Sequence, residues 1–249
     1  MNYKITPITL FPEMFDALKH GVIGRAIENN IINIQCFNPR NYVTNKYGKV
    51  DDHPYGGGSG LVMMVEPLRK AILDAKKMAP AKTIHLTPRG SLLTHDKIKN
   101  LLKEQHLILV CGRYEGIDQR LIELEIDEEL SIGDYVLSGG ELAAMVIIDA
   151  LARLMPNVLG NETSNQDESF TDGLLEYPQY TRPEKICEKS VPQVLLDGNH
   201  EKIRLWRLKH ALGHTYLIRP DLLQKRKLTS LETMLLSEFL AETNETQHE

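Results

Sequence analysis

Leu107-Ile108-Leu109-Val110-Cys111 is an uninterrupted apolar run that ends abruptly at Gly112. A strand with no polar face has to be covered on both sides, which points to a mostly parallel sheet with helices packed against it. The segments before and after the run alternate in the same sense. A short buried strand is expected over 4–10, and Phe11-Pro12 breaks it ahead of a helix carrying Met14 and Leu18. Further strands are expected over 31–36, 83–86 and 122–126, with helices over 66–77 and 96–104. The clearest helix runs over 141–154, where Ala143, Val146, Ile147, Ala150, Leu151 and Leu154 recur at three-to-four-residue spacing.

In such sheets ligands gather at the carboxyl ends of strands. Those ends carry Thr87-Pro88-Arg89-Gly90, Gly112-Arg113-Tyr114-Glu115-Gly116-Ile117-Asp118, and Ser131-Ile132-Gly133-Asp134-Tyr135-Val136-Leu137-Ser138-Gly139-Gly140-Glu141. Gly133, Gly139 and Gly140 permit tight turns and a close approach of backbone to a ligand, while Asp134 and the first amides of the following helix can orient polar groups. Gly56-Gly57-Gly58-Ser59-Gly60 is a further loop, and it matches neither the phosphate-binding P-loop nor the dinucleotide fingerprint. Cys36, Cys111 and Cys187 form no CxxC pair, so neither a disulfide framework nor a cysteine-rich zinc site is indicated, and a reducing cytoplasm fits. Cys111 ends a buried run and reads as a small hydrophobe rather than a covalent nucleophile. His53, His85 and His95 show no ligand spacing. The N-terminus lacks the pattern of a secretory signal and no stretch of about 18 apolar residues occurs, so no membrane association is expected.

With 249 residues and 42% hydrophobic content the chain can form one large domain, or a larger and a smaller one. After Pro156 the sequence turns polar over 157–172, a linker candidate. Beyond it Pro178, Pro183 and Pro192 punctuate an extended segment. Asn199 is placed to cap a helix reaching Ala211 that presents Lys202, Arg204, Arg207 and Lys209. A closing helix is expected over 230–241, with 242–249 frayed. The formal net charge of −5 hides an asymmetry: residues 181–230 carry eleven Lys and Arg against five Asp and Glu. That excess suits phosphate contacts, although charge alone slightly favours a solvated helical surface.

The motifs taken together carry a resemblance. Phe11-Pro12-Glu13-Met14-Phe15, Pro54-Tyr55-Gly56-Gly57-Gly58, the segments 112–118 and 131–141, and Tyr180-Thr181-Arg182-Pro183 resemble, in order and over nearly the whole chain, the bacterial tRNA (guanine-N1)-methyltransferases. The resemblance implies a SPOUT-type α/β domain over 1–160, a mostly parallel sheet with flanking helices and a deep trefoil knot. It further implies a flexible linker over 161–173 and a small, mainly helical tRNA-binding domain over 174–249. S-adenosylmethionine is the implied methyl donor, magnesium is left open as a further cofactor with its ligands unassigned, and the implied assembly is a homodimer with active sites at the subunit interface. The implied reaction methylates N1 of guanosine 37 in tRNAs with guanosine at position 36. A SPOUT enzyme for another RNA position, or an RNA-binding module without catalysis, is the competing reading.

Carried over residue by residue, donor binding falls on Pro88, Gly112, Ile132, Gly133, Asp134, Tyr135, Val136, Leu137, Gly139 and Gly140. Contacts to tRNA fall on Tyr114, Glu115, Arg204, Arg207 and Lys209. Guanine N1 is protonated at neutral pH, so the reaction needs a base for that proton and a cation for the charge that spreads to O6. By resemblance the cation is Arg153. For the base the chain departs from the family pattern Glu-Asp-Ser-Phe and reads Asp167-Glu168-Ser169-Phe170. Alignment assigns the role to Glu168, while a small backbone shift would present Asp167 instead.

Overall fold

The computed structural model describes residues 2–44, 46–159 and 168–246. The chain divides into two compact units, Met1–Glu162 and Thr163–Glu249. The first unit runs β1 (Tyr3–Ile8), a 3-10 helix (Pro12–Lys19), α1 (Gly21–Glu28), β2 (Ile32–Ile34), a 3-10 turn (Pro39–Tyr42), β3 (Asp51–Asp52) and β4 (Val62–Met63). It continues through α2 (Val65–Lys76), β5 (Lys82–Leu92), α3 (His95–Leu101), β6 (His106–Cys111), α4 (Gln119–Glu125), β7 (Glu128–Ser131) and α5 (Glu141–Leu154).

Five strands form one sheet in the order β2-β1-β6-β5-β7, with every neighbouring pair parallel. β6 lies at its centre because the apolar run can be satisfied nowhere else. Leu107, Leu109 and Cys111 point into a core shared with α1, α3 and α5, while Ile108 and Val110 point into one shared with α2 and α4. All five side chains are fully buried, each aliphatic one worth about 1.5–3 kcal/mol over an exposed position.

Of residues 122–126, expected as a strand, 122–125 belong instead to α4 and Ile126 is its extended C-cap. Asp118 caps that helix by accepting from Arg120 N, and Leu121 and Glu125 turn inward at helical spacing, so the strand is displaced to β7. The turn expected over 87–90 lies within β5, whose pairing with β7 slips between Leu86 and Ser91. Both of those residues register with Leu130, so the intervening four leave the ladder. The helix expected around Met14 and Leu18 is a 3-10 segment, and α1 follows it where no helix was expected.

The second unit contains the antiparallel pair β8 (Lys185–Ile186) and β9 (Lys189–Ser190), then α6 (His200–Ile218), α7 (Pro220–Gln224) and α8 (Ser230–Thr246). Asn199 caps α6, its side chain accepting from Lys202 N at 3.1 Å. α8 continues through 242–246 rather than fraying there, and Lys209 Nζ on α6 holds Glu242 at 2.7 Å. Leu174, Ala211, Leu212 and Leu235 form a small core. No helix among the described residues is long and apolar enough to cross a membrane.

α6 and α8 meet at Gly213, where an added Cβ would stand 2.2 Å from Phe239 Cδ1. Gly213→Ala gains up to about 1 kcal/mol of helix propensity but overpacks this contact by about 1–3 kcal/mol. The thermal midpoint of the full chain is expected to fall, and to recover when Phe239→Leu is added. A midpoint raised by Gly213→Ala alone would show that the two helices are not in contact there.

Candidate functional site

The head of α5 holds a buried acid. Glu141 is fully buried at the first helical position, where the amide dipoles favour negative charge. Its Oε1 accepts from Thr9 Oγ1 at 2.8 Å, just beyond β1, and its Oε2 forms an ion pair with Arg113 Nε at 2.9 Å, just beyond β6. Arg113 Nη1 donates to Ser138 O at 3.2 Å, and the guanidinium lies 4.5 Å over the Phe11 ring. Gly140 N donates to Gly112 O at 3.0 Å. A Cβ at Gly140 would stand 2.7 Å from Cys111 Cα and one at Gly139 2.2 Å from Arg113 Nε, so these two glycines answer to packing of the chain against itself.

The loop between β7 and α5 braces itself. Ser131 Oγ donates to Gly133 O at 3.0 Å and Tyr135 Oη donates to Ile132 O at 3.2 Å. This loop, together with residues 85–89 and 112–119, encloses a cavity of about 480 Å³, a size that suits a small-molecule or cofactor site. Pro88, Gly112, Ile132, Gly133, Tyr135, Val136, Leu137, Gly139 and Gly140 line it, and so do Tyr114 and Glu115. Asp134 is not part of the lining. Tyr135 N donates to Gly133 O at 2.9 Å, a three-residue turn that leaves Asp134 exposed at its apex.

The glycine loop reaches the same rim. Glu115 N donates to Leu61 O at 3.0 Å, and a Cβ on Gly60 would stand 2.5 Å from Glu115 Oε1. Tyr114 adopts φ 59, a left-handed conformation uncommon for an aromatic residue. Burial, with a hydrogen bond to Asp51, pushes its phenol pKa up. His85 also lines the cavity, a role its spacing in the sequence did not signal. It is buried, its Nδ1 stands 2.9 Å from Glu129 Oε1, and burial lowers its pKa, which favours the neutral ring. With Nδ1–H donating to Glu129, Nε2 is left as an acceptor. Burial holds the Cys111 thiol pKa well above its ordinary value, so it is no ready thiolate.

Other sequence-selected residues are not among those that line the cavity. Arg153 is in the last turn of α5, about 18 Å along the axis from Glu141 at roughly 1.5 Å per residue. Glu168 belongs to the second unit, where Thr171 N donates to its carbonyl at 3.3 Å, and Asp167 lies outside the described residues, as do 160–166 of the linker candidate. Arg204 pairs with Glu201 at 2.7 Å and Lys209 with Glu242 at 2.7 Å, while Arg207 lies 4.8 Å over the Tyr177 ring. Part of the basic excess is therefore compensated locally. Among the described residues no three His, Cys, Asp or Glu gather as a cation cage.

Comparison with known proteins gives one family. Residues 3–225 match the family model described as tRNA (Guanine-1)-methyltransferase TrmD. A protein of Coxiella burnetii (strain RSA 493 / Nine Mile phase I) named tRNA (guanine-N(1)-)-methyltransferase is 55% identical over 246 residues, 98% of this chain and 100% of that one. Proteins of the same name from Shewanella sediminis (strain HAW-EB3) and Marinomonas sp. (strain MWYL1) are 56% and 52% identical, covering 95% and 97% of this chain and 99% and 98% of their own. A family match over nearly the whole length, on a chain whose loops close around one cavity, means that this chain belongs to the tRNA (guanine-1)-methyltransferase family.

Proposed function

We propose that the chain transfers a methyl group from S-adenosylmethionine to N1 of guanosine 37 in tRNAs with guanosine at position 36. The observation that carries this reading is the convergence of residues 85–89 of β5 and the turns after β6 and β7 on one cavity, in a chain similar over nearly its whole length to proteins named tRNA (guanine-N(1)-)-methyltransferase. The lining fits the donor. Leu86, Pro88, Ile132 and Leu137 offer apolar surface for a purine, and the backbone of the self-braced loop offers donors and acceptors for its edges. Bound there, the donor supplies an electrophilic methyl on a sulfonium.

The remaining work falls to this chain's own residues. A carboxylate, Glu168 by alignment and Asp167 as its competitor, removes the N1 proton, and the Arg153 guanidinium stabilises charge on O6. Tyr114 and Glu115, at the cavity rim, face the target base. Because Arg153 lies far along α5 from the cavity of its own chain, the reading calls for a homodimer in which the partner subunit's Arg153 completes the site. Residues 174–249, within the second unit, are read as the tRNA-binding domain, joined by the linker 161–173, with Arg204, Arg207 and Lys209 toward phosphates. The trefoil knot, like the subunit arrangement, is carried over from the family resemblance. Magnesium rests on the resemblance alone and no ligand is assigned to it. A cytoplasmic location accords with this substrate.

Methyl transfer to a tRNA transcript with guanosine at 36 and 37 is expected to fall about 100-fold or more in Glu168→Gln and to persist in Asp167→Asn. The opposite pattern would make Asp167 the base, and no transfer by the unaltered chain would overturn the reading. A shared site has its own signature: co-refolding the inactive variants Arg153→Ala and Leu137→Arg restores transfer through the one composite site of the mixed dimer. Failure of mixtures to recover activity, with mixed dimers present, would confine each site to one chain. Affinity for tRNA is expected to decline with rising salt as counterion release weakens; affinity flat across ionic strength would remove the phosphate role of the basic segment.

A further inference from the structure

We infer that the second unit contains a pocket for one unpaired RNA base, distinct from the methyl-donor cavity and resting on the proposal that the chain binds tRNA. A cavity of about 600 Å³ lies entirely within 177–207. Three aromatic residues, Tyr177, Tyr180 and Trp206, line it alongside Arg182, Arg207 and Glu184. Trp206 is backed by His210, ring centroids 4.1 Å apart, and Tyr180 stands 6.2 Å from it. The Arg207 guanidinium lies over the Tyr177 ring, 4.8 Å from its centroid, and adds a cation to the wall.

Tyr177 packs against the core of the unit, but a core reading does not suit Tyr180. Tyr180 is 49% exposed, and the small core of the unit is built from Leu174, Ala211, Leu212 and Leu235 instead. Aromatic faces beside guanidinium groups form a platform on which a nucleobase stacks, whatever its sequence. An unpaired base is required, because a base inside a duplex has both faces already covered. Arg182 and Arg207 set positive charge where the flanking phosphates would run, and residues 181–230 carry a net charge of +6. Glu184 at the edge can accept from an amino group on the base. These contacts would hold an unstacked nucleotide of the RNA and so help fix its register for the chemistry elsewhere.

Trp206 is the sole tryptophan of the chain, so its emission reports on this pocket alone. The full-length protein would be titrated with a single-stranded pentaribonucleotide and with the same oligomer abasic at its centre, at fixed salt. Saturable quenching by the intact oligomer is expected, with affinity for the abasic one about tenfold weaker. Tyr180→Ala should bind the intact oligomer as weakly as the unaltered chain binds the abasic one, with an unchanged melting curve, and Tyr180→Phe should restore the difference. Equal affinity for intact and abasic oligomers, or no loss in a folded Tyr180→Ala, would overturn the inference. Methyl transfer measured on tRNA in parallel separates the two proposals: transfer without base-dependent quenching removes the pocket, and base-dependent quenching without transfer removes only the catalytic reading.

Discussion

The buried carboxylate of Glu141 ties the first unit together. Removing a carboxylate from water costs several kcal/mol, and here Thr9, Arg113 and the amide dipoles of α5 offset that cost. The three partners come from the end of β1, the end of β6 and the head of α5, segments far apart in the chain. One charge therefore decides where three turns meet. Stripping away a partner would leave an uncompensated buried charge, a loss of about 3–5 kcal/mol, comparable to a large part of the stability of a whole domain. Phe11 enters through the ring beneath Arg113, which explains why a Phe-Pro turn after the first strand bears on a site assembled from later ones.

Around that tie the architecture separates rigidity from chemistry. β6 supplies a centre buried on both faces, and the parallel arrangement sends the carboxyl ends of β1, β5, β6 and β7 to one edge. The slip between β5 and β7 then frees four residues, including Pro88, to curve over the cavity without interrupting the strand beyond them. Glu115 is set by hydrogen bonding to Leu61 and by the room left at Gly60, so the glycine loop acts on the site through a carboxylate it does not contain.

Much of this was legible in the residues. The run 107–111 and the spacing over 141–154 report burial directly, because nothing local competes with it. Residues 122–126 misled because Ile122, Leu124 and Ile126 alternate with glutamates at the period of a strand, whereas Asp118, a cap at the start of the helix, decides for helix. The Thr9–Glu141 and His85–Glu129 contacts leave no local trace, since each joins residues brought together only by the parallel sheet. The cavity-lining turns were visible through their glycines, yet the structure gives Gly139 and Gly140 a packing reason that the pattern did not suggest. They accommodate Arg113 and Cys111, and the cavity borders that close packing. Asp134, polar and well placed in sequence, is turned outward by a backbone hydrogen bond that composition does not report.

The self-braced loop between β7 and α5 also bears on how such a cavity can change over evolutionary time. Gly133, Gly139 and Gly140 present bare main chain on its lining, and Gly139 and Gly140 admit no side chain without displacing their neighbours. An inhibitor gripping that main chain would meet a surface that resistance mutations can scarcely repaint. Escape would have to pass through the exposed rim at Tyr135 and Val136, where a substitution alters access more readily than it alters the grip.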